Sequence, residues 1–121
     1  MSTRLPGSKY KRVFEQGRSV KGRLLVAWAH SSDDADRKAG VVVSKKTFRH
    51  AVDRNRAKRL MREAYRLLVK DGAAPARTEW VLIARSWMRG KKVGDVKADI
   101  ATACARLSGG VKSADGRSVP V

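Results

Sequence analysis

Residues 51–70 read AVDRNRAKRLMREAYRLLVK. The spacing predicts one long helix that starts between His50 and Asp53, runs to about Lys70 and stops at Asp71-Gly72. At about 100° per residue, Arg54, Lys58, Arg62, Arg66, Arg59 and Lys70 fall within one arc of roughly 160°, with Arg56 at its edge. Leu67, Leu60, Ala64, Ala57, Leu68 and Met61 fall opposite. One side of the helix can therefore pack on a sheet while the other carries a cationic stripe. Asp53 and Glu63 are its only carboxylates. Residues 44–70 hold ten Lys and Arg against two Asp and Glu. An ordinary solvated helix face mixes signs at i,i+4, because like charges at that spacing repel. A polyanion would relieve the repulsion.

Outward from the helix, the chain alternates elements that can cover a sheet. Gly40–Lys46 (GVVVSKK) reads as an apolar strand running into two lysines, and Thr78–Arg85 (TEWVLIAR) as a strand after the helix. Arg23–His30 (RLLVAWAH) is another, apolar on alternate residues of both faces, and a short strand is expected around Ser19 and Val20. A first helix is expected from an N-cap at Ser8, with Tyr10, Val13 and Phe14 on one side and Gly17 ending it. Ser31–Lys38 reads as a polar turn and Arg89–Lys92 as a basic one. A last helix over about Lys92–Leu107 places Val93, Val96, Ile100, Cys104 and Leu107 on one stripe, and Gly109-Gly110 should break it. The expectation is one α+β domain over 1–107, followed by a flexible tail over 108–121. Its architecture is a two-layer α/β sandwich, with one mainly antiparallel sheet of about four strands in the order α-β-β-β-α-β-α. The long helix makes a crossover between two strands, which by default is right-handed.

The chain has 121 residues and a formal charge of +17. Apolar residues make up 42%, enough for a core. No run approaches the roughly 18 apolar residues of a membrane span, and residues 1–17 lack the apolar centre of a secretory signal. The single cysteine, Cys104, cannot form an internal disulfide, which suits a reducing cytoplasm. A small, strongly basic domain of this kind points to nucleic acid as its partner.

Arginine outnumbers lysine in the long helix, and guanidinium binds phosphate as a planar fork. Asn55, between Arg54 and Arg56, can bond a base edge or sugar hydroxyl, or it can order the helix start. Tyr10, Phe14 and Trp28, flanked by Lys9, Lys11, Arg12, Lys45 and Lys46, could stack unpaired nucleotides; from spacing alone, ordinary core is the stronger reading. Trp80 and Trp87 read as core or rim. Enzyme motifs are missing from the sequence. Asp33, Asp34 and Asp36 cluster in a polar turn and read as solvated, His30 and His50 are isolated, and there is no Gly-rich phosphate loop. Cys104 lies on an apolar stripe and reads as a buried thiol rather than a nucleophile. No catalytic and no metal-ligating residue is predicted. A binding subunit of a larger particle is what these absences leave.

Ala51 to Arg66 resembles the arginine box of the bacterial ribonuclease P protein subunit. The strand ending in Ser44-Lys45-Lys46, the opening Arg4-Leu5 followed by Val13-Phe14 and Gly17, and the Trp80–Arg85 strand resemble that family as well. The likeness covers about residues 4–107; it departs at Thr47–His50, where many members carry a glycine-containing turn. The resemblance implies a left-handed crossover, against the default. It implies an accessory subunit of a ribonucleoprotein endoribonuclease that removes the 5′ leader of precursor tRNA, with the chemistry and the Mg2+ ions carried mainly by the RNA subunit. The catalytic RNA would be bound by Arg54, Asn55, Arg56, Lys58, Arg59 and Arg62, with Arg66 continuing the row. The leader would lie in a cleft lined by Tyr10, Phe14 and Trp28, with Lys45 and Lys46 at its edge. Membrane and obligate protein partners are not expected. The alternative is a ribosomal or other structural RNA-binding protein.

Overall fold

Thr78–Ala84 (TEWVLIA) is buried at six of its seven positions, more than any other strand. Its place explains this: it is an inner strand of a mixed sheet with apolar neighbours on both sides and helices against both faces. The structure, a computed structural model, describes residues 3–112. Helix α1 (Tyr10–Gln16) follows a short 3-10 turn and leads into β1 (Arg18–Lys21), β2 (Leu25–Ser31) and β3 (Lys38–Val42). Helix α2 (Ala51–Lys70), strand β4 (Thr78–Ala84) and helix α3 (Val93–Lys112) complete the chain order. The sheet runs β1-β2-β4-β3, with β1–β2 and β2–β4 antiparallel and β3–β4 parallel. Because β3 and β4 are parallel neighbours, the chain must cross from the end of one to the start of the other, and α2 makes that crossover.

Alternation along the strands sorts the side chains onto two faces. Leu25, Ala27, Val41, Trp80, Leu82 and Ala84 join Ala57, Met61, Ala64, Tyr65 and Leu68 of α2 and Val96, Ile100 and Cys104 of α3 in the main core. The opposite face carries Val81 against Val13 of α1 and Leu5, with Tyr10, Trp28, Val42 and Ile83 packed around them. The outer edge of β3 is covered by the N-terminal segment: Leu5 N–H donates to Ala39 O and Ala39 N–H to Thr3 O. The expected α+β sandwich with four strands and this element order is what the chain adopts.

Several boundaries differ from the sequence expectation. Strand β2 begins at Leu25 rather than Arg23, because the preceding turn is held by α3: Asp99 accepts from the backbone N–H of Arg23 and Leu24 at 3.3 and 3.1 Å. Strand β3 spans Lys38–Val42, not 40–46, and Lys45 and Lys46 lie in a turn. Ser44 closes that turn, accepting from Thr47 N–H through its hydroxyl and from Phe48 N–H through its carbonyl. Phe48, 2% exposed, plugs the core shortly before α2, in the connection where the sequence departs from the family's glycine-containing turn. Ser8 does not cap α1; it lies inside the 3-10 turn Gly7–Lys9, and Lys9 occupies the cap position without a side-chain bond. Helix α3 runs through Gly109-Gly110 to Lys112, since glycine weakens a helix without forbidding it. The tail expectation for 113–121 lies outside the described residues.

Candidate nucleic-acid interface

On α2 the buried positions Ala57, Met61, Ala64, Tyr65 and Leu68 recur at spacings of three, four and one. Tyr65 falls between Arg54 and Lys58 around the helix, so the buried face reaches into the cationic arc. Arg54, Lys58 and Arg62 are consequently half-buried flank residues, while Asn55, Arg56, Arg59, Arg66 and Lys70 stand exposed. The side chains of Asn55, Lys58, Arg59, Arg62 and Lys70 make no hydrogen bond or ion pair among the described residues. Arg54 is partly spent on the fold: its Nη1 donates to the carbonyls of Phe48 and Arg49 at 3.0 and 2.9 Å. The helix-start ordering weighed for Asn55 therefore falls to Arg54. Arg66 grips Glu63 through two bonds at 3.0 and 2.6 Å, which lowers the carboxyl's pKa and raises the guanidinium's.

Two loops are fastened to the start of α2. Arg56 donates to Lys91 O at 3.2 Å, and Arg89 donates to Thr47 O at 3.0 Å while its guanidinium lies 4.8 Å from the centre of the Phe48 ring. Lys45 and Lys46 are exposed in the turn so held.

The other sheet face carries a groove. Strand register places Trp28, Val81 and Gly40 in one row and Val26, Ile83 and Val42 in the next. Helix α1 lies over the first row. A side chain at Gly40 would overlap the Tyr10 ring, and Tyr10 Oη accepts from Val41 N–H at 3.1 Å. Phe14, 36% exposed, meets Trp28 edge-to-face at 5.4 Å between ring centres. The second row is left half-buried, so Val26, Ile83 and Val42 form an apolar floor beside an aromatic wall. Tyr10, Phe14 and Trp28 do share this face, whereas Lys45 and Lys46 make no hydrogen bond, ion pair or ring contact with them and lie exposed in the turn after β3. The three floor residues were missed in the sequence because alternation shows which residues share a face, not which helix stops short of them.

The cations of α1 behave differently. Glu79, 0% exposed, forms ion pairs with Arg12 at 3.2 Å and Lys9 at 3.5 Å. Arg12 also binds Asp34 at 3.1 Å, so Asp34 is not merely solvated. The Ser32 hydroxyl and then Arg12 hold the Asp34 carboxyl down at about 2. Lys9 and Arg12, expected to flank bound nucleotides, instead pin α1 to the sheet.

Groups fit for chemistry are not gathered here. Among the described residues no three His, Cys, Asp or Glu side chains come together. Burial pushes the Cys104 thiol up to about 11, so it stays protonated. Trp80 is core, as expected, but Trp87 is 67% exposed.

The domain thus carries a basic helix on one face of an α+β sheet and an aromatic-walled groove on the other. Residues 5–108 match the Ribonuclease P family model, and the chain belongs to that family. A "Ribonuclease P protein component" from Exiguobacterium is 44% identical over 77 residues, 64% of each chain. One from Clostridium acetobutylicum is 34% identical over 96 residues, 77% of each chain. The matched part spans less than two thirds of the Exiguobacterium protein and half of a Vesicomyosocius okutanii relative that is 39% identical. Among solved structures, the RNase P protein from Thermotoga maritima shares the fold with a TM-score of 0.72 at 23% identity, covering 85% of this chain and 96% of that one. That from Staphylococcus aureus gives 0.69 at 23%, covering 89% and 96%. No helix among the described residues is long and apolar enough to cross a membrane.

Proposed function

We propose that this chain is the protein subunit of a cytoplasmic ribonuclease P. In this reading it binds the catalytic RNA through α2 and the 5′ leader of precursor tRNA through the groove beside α1. The observation that carries it is the pairing of two unlike surfaces on opposite sheet faces: free guanidinium and ammonium groups suit phosphates of a folded RNA, and half-open aromatic rings suit unstacked bases.

The holoenzyme would hydrolyse the phosphodiester bond between leader and tRNA. Mg2+ on the RNA would activate the attacking water and stabilise the leaving oxygen. Among the described residues no three candidate ligands come together for such an ion. No step is therefore assigned to a protein-held metal. The protein's part is binding. Arg59, Arg62, Lys58 and Lys70 would replace counterions along the RNA and so lower the Mg2+ needed for folding and docking. The groove would add affinity for precursor over mature tRNA, because only the precursor has a leader to fill it.

The test is reconstitution with the RNA subunit at low Mg2+, using matched precursor and mature tRNA. The protein alone should cleave nothing, should restore cleavage in the mixture, and should tighten precursor more than mature tRNA. Cleavage without RNA, or co-sedimentation with ribosomes and no preference for the leader, would contradict the proposal.

A further inference from the structure

Residues 85–92 read RSWMRGKK, with four cations and no carboxylate. They leave β4 through a 3-10 turn, Ser86–Met88, and reverse at Gly90, whose φ of 78° is a backbone shape that suits glycine. Met88 is 1% exposed and roots the turn in the main core. Trp87, its neighbour, points the other way and is 67% exposed.

The segment is fixed at four places. Arg85 N–H donates to Leu24 O at 2.9 Å and the Arg85 guanidinium to Gly22 O at 2.6 Å, which ties it to the β1–β2 turn. Arg89 ties it to Thr47, and Arg56 of α2 ties to Lys91 O. Asp95 accepts from Lys92 N–H at 3.0 Å and closes the entry to α3. Apart from the Arg56 guanidinium and the Asp95 carboxylate, which meet backbone atoms of the segment, these partners are backbone carbonyls. No residue of 85–92 takes part in an ion pair among the described residues, so its four cations are left without a salt-bridge partner there, with Asp95 the carboxylate bonded to the segment's backbone.

A single exposed apolar side chain is ordinary on a protein surface, so the setting of this indole matters more than its exposure. Here it stands on a fixed loop, among cations without ion-pair partners, joined by one hydrogen bond to Arg56 of α2 and by another to Thr47 in the turn before it. From this juxtaposition we propose that Trp87 is a base-stacking residue: it packs against an unpaired nucleobase of the same RNA that docks on α2, while Arg89, Lys91 and Lys92 hold the adjoining phosphates. Aromatic rings stack on any base, and neighbouring cations fix the backbone. The proposal rests on the reading of α2 as the face for the large RNA. It adds a third contact, separate from the groove, whose aromatic residues are Tyr10, Phe14 and Trp28.

The test compares Trp87→Ala, Trp87→Phe and Arg59→Ala, in the full chain, for binding to the RNA subunit over a range of salt. Trp87→Ala should lose roughly 5- to 150-fold in affinity, the range for one stacked base. The slope of affinity against salt should not change, because no phosphate contact is removed by that substitution. Trp87→Phe should recover most of the loss. Arg59→Ala should weaken binding and flatten the slope. Wild-type indole fluorescence should be quenched by the RNA subunit, with that component absent from Trp87→Phe. Unchanged affinity in Trp87→Ala alongside weakened Arg59→Ala overturns this inference and leaves the α2 reading standing. Loss in neither variant overturns both. A loss confined to leader-bearing tRNA assigns the indole to the groove, and concentration-dependent self-association that vanishes in Trp87→Ala assigns it to a second copy of the chain; either result overturns the inference.

Discussion

Helices α1 and α2 both bring cations to the surface and differ in what those charges do. Helix α1 contributes Arg12 and is preceded by Lys9, and both are neutralised by Glu79, with Asp34 adding to Arg12. On α2, Lys58, Arg59, Arg62 and Lys70 meet no carboxylate among the described residues. Density of cations is thus not itself a docking surface. What matters is whether distant elements return acids to them, and β4 and the turn before β3 do so only for α1. One set of charges holds the fold; the other remains available for a polyanion.

The sharpest way to break this contrast is to remove the acid. Glu79→Ala leaves Lys9 and Arg12 facing an empty buried position. It should cost about 2–4 kcal/mol, near the lower range for breaking a buried pair because the cations are part-exposed. Urea melts measure this; a change below about 0.5 kcal/mol, the size of an ordinary surface substitution, would show that α1 is not pinned by charge.

The groove sharpens the contrast from the other side. Phe14→Ala should reduce affinity for leader-bearing tRNA by about 1–3 kcal/mol, the range for one stacked base. Binding of mature tRNA and of the RNA subunit should stay unchanged, as filter binding on the three ligands would read. If the domain unfolds instead, the ring is core and the groove loses its wall.

A smaller effect separates the regions by pH. Asp34 is held at about 2, below its ordinary 3.8. The folded state thus binds this proton less readily than the unfolded chain, so its contribution is present above about 3.8 and is lost as pH falls toward about 2. Asp34→Asn should remove that part of the acid sensitivity, seen as a shallower loss of melting temperature in that window. At the alkaline end the sign reverses. Cys104 is raised from 9.0 to about 11 by burial, so stability should decline as pH rises through that window. Cys104→Ala should lessen the decline, and equal slopes in the two proteins would contradict it.

Much of the molecule was legible because it is periodic. Element order, the apolar stripe of α2 and the sheet's four strands follow from spacings of two and of three to four. The ends were not, because tertiary bonds set them. Asp99 on α3 decides where β2 starts, and Ser44 with Phe48 decides that Lys45 and Lys46 leave the strand. The same holds for the site. The aromatic trio was visible, yet its floor of Val26, Val42 and Ile83 depends on α1 lying over the neighbouring row, Trp28, Val81 and Gly40. Glu79 and Asp34 lie far along the chain from Arg12, and no local pattern joins them. Trp87 gave one local clue, a lone aromatic among four cations, but only its placement opposite buried Met88 shows that it faces out.

The central claim is that the free row on α2 is the RNA-docking surface and the paired cations of α1 are not. Its most direct test is the slope of log affinity for the RNA subunit against log salt. Wild type is compared with Arg59→Ala/Arg62→Ala and with a Lys9→Ala/Glu79→Gln pair that removes one cation while keeping the buried position filled and uncharged. The account predicts that the α2 pair lowers the slope by up to about two, one for each lost phosphate contact, with melting unchanged, and that the α1 pair leaves the slope as it was. An unchanged slope in the α2 pair, or an equal fall in both, would contradict it.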